Sequence, residues 1–260
     1  MVKYQGNKSK YSSNIVNKIR ERSLESQPAY DICCGAGEVT AHWSRPVTMI
    51  DSGPWGFFWR GIKQWQVEEA VGYDGDHTEW SSPLVWSEIY ADNYDFNIKL
   101  AVKREAPTKG SYKWCALFLA LQHEAFNGKA VECTGGLWKH PGFGKAFSRK
   151  FYLNSMKRAC SLQIASAHVL DANDYVVPEV ATVYVDPDYE ETLGYGNRTL
   201  NVRGFLGNNR HCDLFVSHHT VLTGVDWTDI FNVSVARAGR EGRTAKDETE
   251  LLHYLKKETA

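Results

Sequence analysis

Val183-Tyr184-Val185-Asp186-Pro187-Asp188-Tyr189 sets a carboxylate, a proline and an aromatic ring directly after an apolar run. An adenine-type amine is a weak nucleophile, because its lone pair is delocalised into the ring. A carboxylate and a nearby carbonyl that accept its two hydrogens draw the nitrogen toward tetrahedral geometry and aim the lone pair at an electrophile. Asp186 and the Pro187 carbonyl suit that work, and Tyr189 suits stacking on an extruded base. The plainer reading is a strand-ending turn, where Asp-Pro is common. A second group is Tyr30-Asp31-Ile32-Cys33-Cys34-Gly35-Ala36-Gly37-Glu38-Val39. Gly35 and Gly37 let the backbone turn sharply and approach a ligand closely. Asp31 can accept hydrogen bonds from an amino or hydroxyl group. Alone, such a glycine turn is weak evidence for a ligand.

Both groups need strands to carry them. Ala29–Cys33 and Val47–Ile50 read as short strands, the second ending at Asp51. A helix is expected over Ser12–Glu25, capped by Ser12 or Ser13, with Ile15, Ile19 and Leu24 as its apolar stripe. Further helices are expected over Glu38–Arg45, Tyr112–Glu124 and Phe151–Ala165. Ala167–Leu170, Ala181–Val185, Asp213–Ser217 and Ile230–Ala236 read as strands, and Leu251–Lys256 as a short terminal helix or strand. Strand, glycine turn, helix, strand and acidic residue open a parallel α/β sheet, whose ligands sit at the carboxyl ends of the strands.

Composition narrows the class. The chain has 260 residues, 43% hydrophobic and 23% charged, with net charge −1, so any nucleic-acid site must be a local patch. No apolar run approaches the ~20 residues of a membrane helix, and the N-terminus reads as no signal peptide. Cys33, Cys34, Cys115, Cys133, Cys160 and Cys212 form no CxxC pair, which fits free thiols in a reducing compartment. Cys212, His218 and His219 have no metal-site spacing, so no metal is expected.

Several motifs in one order resemble the DNA adenine methylase family, amino-group DNA methyltransferases of the alpha group and phage type. Tyr4-Gln5-Gly6-Asn7-Lys8-Ser9-Lys10 is similar to the family's N-terminal cofactor motif, with Tyr4 and Lys8 its aromatic and its lysine. Asp31–Gly37 is similar to Asp-x-Phe-x-Gly-x-Gly, with Cys33 in the Phe place. The resemblance makes Asp51 the acid for the cofactor ribose, and Asp174-Tyr175 the pair that meets the cofactor adenine. It makes Asp186, Pro187, Asp188 and Tyr189 the catalytic Asp-Pro-Pro-Tyr, followed by a phage-type tail at 191–196. Asp188 departs from the family Pro and adds a second carboxylate, which puts rate and target in question. The implied fold is a Rossmann-like S-adenosylmethionine-dependent α/β domain from residues 1–53 and 166–260, with an inserted target-recognition region at 54–165. The implied activity is methyl transfer from S-adenosyl-L-methionine to adenine N6 in double-stranded DNA after base flipping, in the cytoplasm of a bacterial host cell.

Charge is uneven within that insertion. No Lys or Arg occurs from Gln64 to Ile98, where acids are frequent, and no acid occurs from Lys139 to Arg158. One at a time, such charges are ordinary solvated residues, and Trp138, Phe143 and Phe147 ordinary core. As a segment beside the resemblance, they make Lys139, Lys145, Arg149 and Lys150 candidate DNA-phosphate contacts. The acidic stretch 68–95 has no counterpart in the family. Two other functions stay open: a catalytically weakened relative that binds DNA or cofactor as a regulatory module, favoured by Asp188, and an enzyme acting on RNA or a free nucleotide.

Overall fold

The most apolar strands, Ala29–Ile32, Val47–Ile50 and Thr182–Val185, bury nearly every side chain, which dictates a sheet covered on both sides there. A computed structural model describes residues 8–72, 82–92, 94, 98, 104–125, 131–140, 142, 147–187, 200–234 and 250–258. The chain forms two compact units, one of Lys8–Ile50 with Leu170–Ala260 and one containing Asp51–Val169.

The first unit is α/β. Its elements are α1 (Ser12–Arg22), β1 (Ala29–Ile32), β2 (Val47–Ile50), β6 (Thr182–Val185), α6 (Val202–Asn208), β7 (Asp213–His218), β8 (Asp229–Asn232) and β9 (Leu251–Leu255). For the strands of this unit the order is β2-β1-β6-β7-β9-β8. Strands β2, β1, β6 and β7 pair in parallel, in register Ala29↔Val47, Ala29↔Thr182 and Thr182↔Asp213. Strand β9 runs antiparallel to both β7 and β8, so the sheet is mostly parallel with one reversed strand inserted near its edge. Alternate side chains divide between two cores. Ile15, Val16 and Ile19 of α1 pack with Tyr184, Phe215, Leu252 and Tyr254. Phe205 and Leu206 of α6 pack with Ile32, Val183, Val185, Leu214 and Val216. Burying a side chain such as Ile15 or Ile19 contributes about 2 kcal/mol.

The second unit holds α2 (Pro54–Ala70), α3 (Pro83–Asp92), α4 (Tyr112–Glu124), the hairpin β3 (Glu132–Thr134) and β4 (Leu137–Lys139), α5 (Arg149–Ser161) and β5 (Ile164–His168). Proline opens α2, where its missing N–H costs nothing. Ser111 and Ser148 cap α4 and α5, accepting from Trp114 N and Phe151 N. The core is aromatic: Trp114 stacks on Phe118 at 5.0 Å and on Trp138 at 5.5 Å. Tyr152 donates to the Ala116 carbonyl and ties α5 to α4. Gln66 of α2 donates to the Cys160 and Leu162 carbonyls, satisfying the exposed end of α5. Among the described residues no helix is long and apolar enough to cross a membrane.

Several elements depart from expectation. Helix α1 stops at Arg22, and Leu24 is exposed. The helix expected over Glu38–Arg45 is one 3-10 turn, Thr40–His42, pulled in by Thr40 and followed closely by Pro46. Helix α5 runs Arg149–Ser161 rather than Phe151–Ala165, because Leu162 turns extended and Ile164 enters β5.

Candidate active site

The strand order reverses between β1 and β6: the chain goes from β1 outward to β2, then returns to lay β6 on the other side. A ligand crevice is expected outside the carboxyl ends of the strands at such a switch point. Both chemistry-bearing groups lie there. Asp186 N donates to the Ile32 carbonyl at 3.1 Å, tying the end of β6 to the residue before the glycine turn. Cys34 N donates to the Ile50 carbonyl at 3.2 Å, tying that turn to the end of β2. The turn takes left-handed backbone at Cys33 (φ 58°), Gly35 (φ 46°) and Gly37 (φ 69°). For glycine that is easy. For Cys33 it is strained, and such strain concentrates at functional sites. Asp31 lies inside β1, 1% exposed, and accepts from Thr40 Oγ1 at 2.6 Å, so its carboxylate holds the turn that follows the glycines.

Asp186 is the centre of a buried polar network. Its Oδ1 accepts from Ser217 Oγ at 2.9 Å and lies 3.2 Å from Lys8 Nζ. Lys8, 4% exposed, also reaches Glu250 Oε1 at 3.0 Å. Tyr184 OH lies 2.9 Å from Ser217 Oγ. The start of α1 sets the position of Lys8, whose carbonyl accepts from Tyr11 N and Ser12 N. Burial lifts the Asp186 carboxyl from 3.8 to about 6; Lys8 and the Ser217 hydroxyl oppose the rise, and Glu250 adds to it. The Asp186 side chain remains one-fifth exposed, and neither of these contacts uses Oδ2. Pro187, directly after it, is buried. His218 and His219 follow Ser217 at the end of β7, stacked at 4.5 Å. Burial lowers the His218 pKa, as does the neighbouring His219.

The structure thus brings Lys8, Cys33, Gly35, Gly37, Asp186 and Pro187 together at one end of the sheet. Asp174 is exposed at the end of the 3-10 turn Ala172–Asp174. Tyr175 is half-buried, its ring 6.4 Å from that of Tyr30, packed against the core that α6 covers. Asp51 follows β2 as the first residue of the second unit and accepts from Gly53 N at 2.7 Å. Tyr4, Asp188, Tyr189 and Lys145 lie outside the described residues. Lys139 and Lys150 are exposed, whereas Arg149 binds Asp92 through two nitrogens at 3.0 and 2.7 Å. Trp138 is core, and Phe147 stacks on Tyr94 at 3.7 Å. Sequence reading missed Ser217, Tyr184 and Glu250. The first two carry a signal, a polar atom in an otherwise apolar strand. Glu250 carries none, being 242 residues from Lys8.

Among the described residues no group of three or more His, Cys, Asp or Glu side chains is arranged to hold a metal ion. No protein-family model and no curated protein matches the sequence.

Proposed function

We propose that the chain is an S-adenosylmethionine-dependent methyltransferase acting on the N6 amino group of adenine in double-stranded DNA. One observation carries the reading beyond the sequence resemblance. Asp186 stands at a topological switch point beside a left-handed glycine turn, with Oδ1 held by Lys8 and Ser217. The sheet is compatible with it too: it is mostly parallel, as the Rossmann-like fold implied by the resemblance requires.

The residues present fit the cofactor's chemistry. Its sulfonium and ammonium are cations, and two carboxylates, Asp186 and the buried Glu250, lie at this site, both in contact with Lys8. Carboxylates at a site favour a cationic ligand. Cys33, Gly35, Gly37 and Lys8 would hold the cofactor from this unit, with Tyr4, Asp31, Asp51, Asp174 and Tyr175 assigned by resemblance. When bound, the cofactor supplies an electrophilic methyl group.

Asp186 and the Pro187 carbonyl act on the amine. Oδ2 and that carbonyl accept its two hydrogens, which localises the lone pair on nitrogen. Only the ionised carboxylate does this fully, so methylation falls as pH drops through about 6.

The test is methyl transfer from labelled S-adenosylmethionine to adenine-rich mixed-sequence duplex DNA, followed by digestion to nucleosides. Labelled N6-methyldeoxyadenosine is expected, falling by roughly 10²–10⁴ in Asp186→Ala. Parallel incubations with RNA and free nucleotides separate the substrates. Cofactor binding without any labelled product would overturn the enzyme reading and favour a regulatory binding module.

A further inference from the structure

We infer that Ser217 and Glu250 are positioning residues for Asp186, Ser217 through a direct hydrogen bond and Glu250 through Lys8. The chemical role of Asp186 rests on the methyltransferase reading, but the network itself does not. Four stretches of chain converge on it: the residue leading into α1, the end of β6, the end of β7 and the start of β9. Ser217 has one hydroxyl proton, and it goes to Asp186 Oδ1 at 2.9 Å. Tyr184, 2.9 Å away, must therefore donate its own proton to Ser217 Oγ. Tyr184 stays protonated, because burial raises its pKa well above the ordinary value. While Asp186 is ionised, the direction of each hydrogen bond from Tyr184 to Asp186 is then fixed. Lys8 holds the same oxygen from another direction at 3.2 Å, so the carboxyl group cannot rotate without breaking two contacts.

Glu250 holds Lys8 in turn. It is 5% exposed and lies 3.0 Å from Lys8 Nζ. Its backbone is fixed by its own N–H to Ser234 Oγ and by Val233 N to its carbonyl. Burying Lys8 and Glu250 beside a carboxyl that is itself only one-fifth exposed carries a desolvation cost that packing alone would not require. The arrangement instead gives Asp186 one immobilised oxygen and leaves the other for an amine. The charged and titratable groups around it are Lys8 ahead of α1, Glu250 ahead of β9, Tyr184 on β6, Asp31 on β1 and His218 at the end of β7.

The experiment is a carbon-13 NMR titration of the Asp186 carboxyl in the full chain, beside the pH profile of methyl transfer. Ser217→Ala removes a donor to the ionised form, so the Asp186 midpoint moves up. Glu250→Gln removes a negative neighbour but keeps an acceptor for Lys8, so the midpoint moves down. Shifts of about half a pH unit, roughly threefold in rate on the acidic limb, are expected in these opposite directions. Ser217→Thr keeps the hydroxyl and holds the wild-type midpoint. If Ser217→Ala does not fold, Tyr184→Phe replaces it and also moves the midpoint up. Opposite NMR shifts in a protein without methyl transfer would sustain the network and remove only the methyltransferase reading. Unmoved midpoints, or shifts of the same sign, would overturn the positioning roles.

Discussion

Asp186 is held where its ionised form is disfavoured, and this couples chemistry to stability. An unfolded chain ionises this carboxyl near 3.8, the folded protein near 6. Between those values the folded state carries the extra proton, so stability falls as pH rises. The protonated form's contribution is complete below about 3.8 and is lost as pH passes about 6. On the proposed methyltransferase reading, activity runs the opposite way, because the amine needs the ionised acceptor. Asp186→Asn removes the titration and leaves the Lys8–Glu250 pair in place. Its stability relative to wild type should therefore improve as pH rises from 4 to 7, by on the order of 1–3 kcal/mol. Urea unfolding across that range measures it, and a constant difference between the two proteins would refute it. Cys33 shows what stays hidden at this scale. A cysteine in the Phe place is visible in sequence, but its left-handed backbone follows from the β2, β1 and β6 ends being knitted together.

Elements were legible where one local signal dominated. Val47–Ile50 and Tyr112–Glu124 match their apolar runs residue for residue, because strand and helix ends coincide with Pro46, Asp51 and Ser111. Helix α2 was not legible: Gly56 and Gly61 interrupt its pattern, and the reason for them lies elsewhere in the fold. A Cβ at Gly61 would run into the Gly110 carbonyl and sit 2.6 Å from Cys115 Sγ, so α2 needs glycine to approach α4. Glycine is a poor helix former, and here the gain in packing outweighs that cost. Gly61→Ala should destabilise by about 2 kcal/mol, since the clash is with backbone and a fully buried thiol. Gly207 in α6 is the control, exposed and with nothing within 4 Å of an added Cβ. Gly207→Ala should stabilise by about 0.5–1 kcal/mol. Chemical denaturation of both variants gives the signs, and a stabilising Gly61→Ala would show that α2 and α4 are not packed so closely.

At the scale of the whole molecule, a net charge of −1 leaves no long-range field to draw in DNA. On the proposed DNA-binding reading, affinity must come from a few cations whose own partners are weak. The described part of the basic segment is not uniform in this respect. Lys139 and Lys150 are exposed, but Arg149 already has a carboxylate, Asp92, supplied by the acidic stretch 68–95. Both partners of that pair are more than half exposed, so it contributes at most about 1 kcal/mol and salt weakens it. Any phosphate that Arg149 binds must first displace this carboxylate. Each phosphate neutralised contributes about 0.9 to the slope of log affinity against log salt. Lys139→Gln and Lys150→Gln should each flatten that slope by about 0.9, and Arg149→Gln by less. Asp92→Asn frees the guanidinium, so it should tighten binding and steepen the slope instead. Anisotropy of a labelled duplex titrated at several salt concentrations reads all four. Four unchanged slopes would move the DNA surface off this segment. A steeper slope in Asp92→Asn alone would instead show the acidic stretch masking a phosphate contact, giving those residues a role as an internal competitor for DNA.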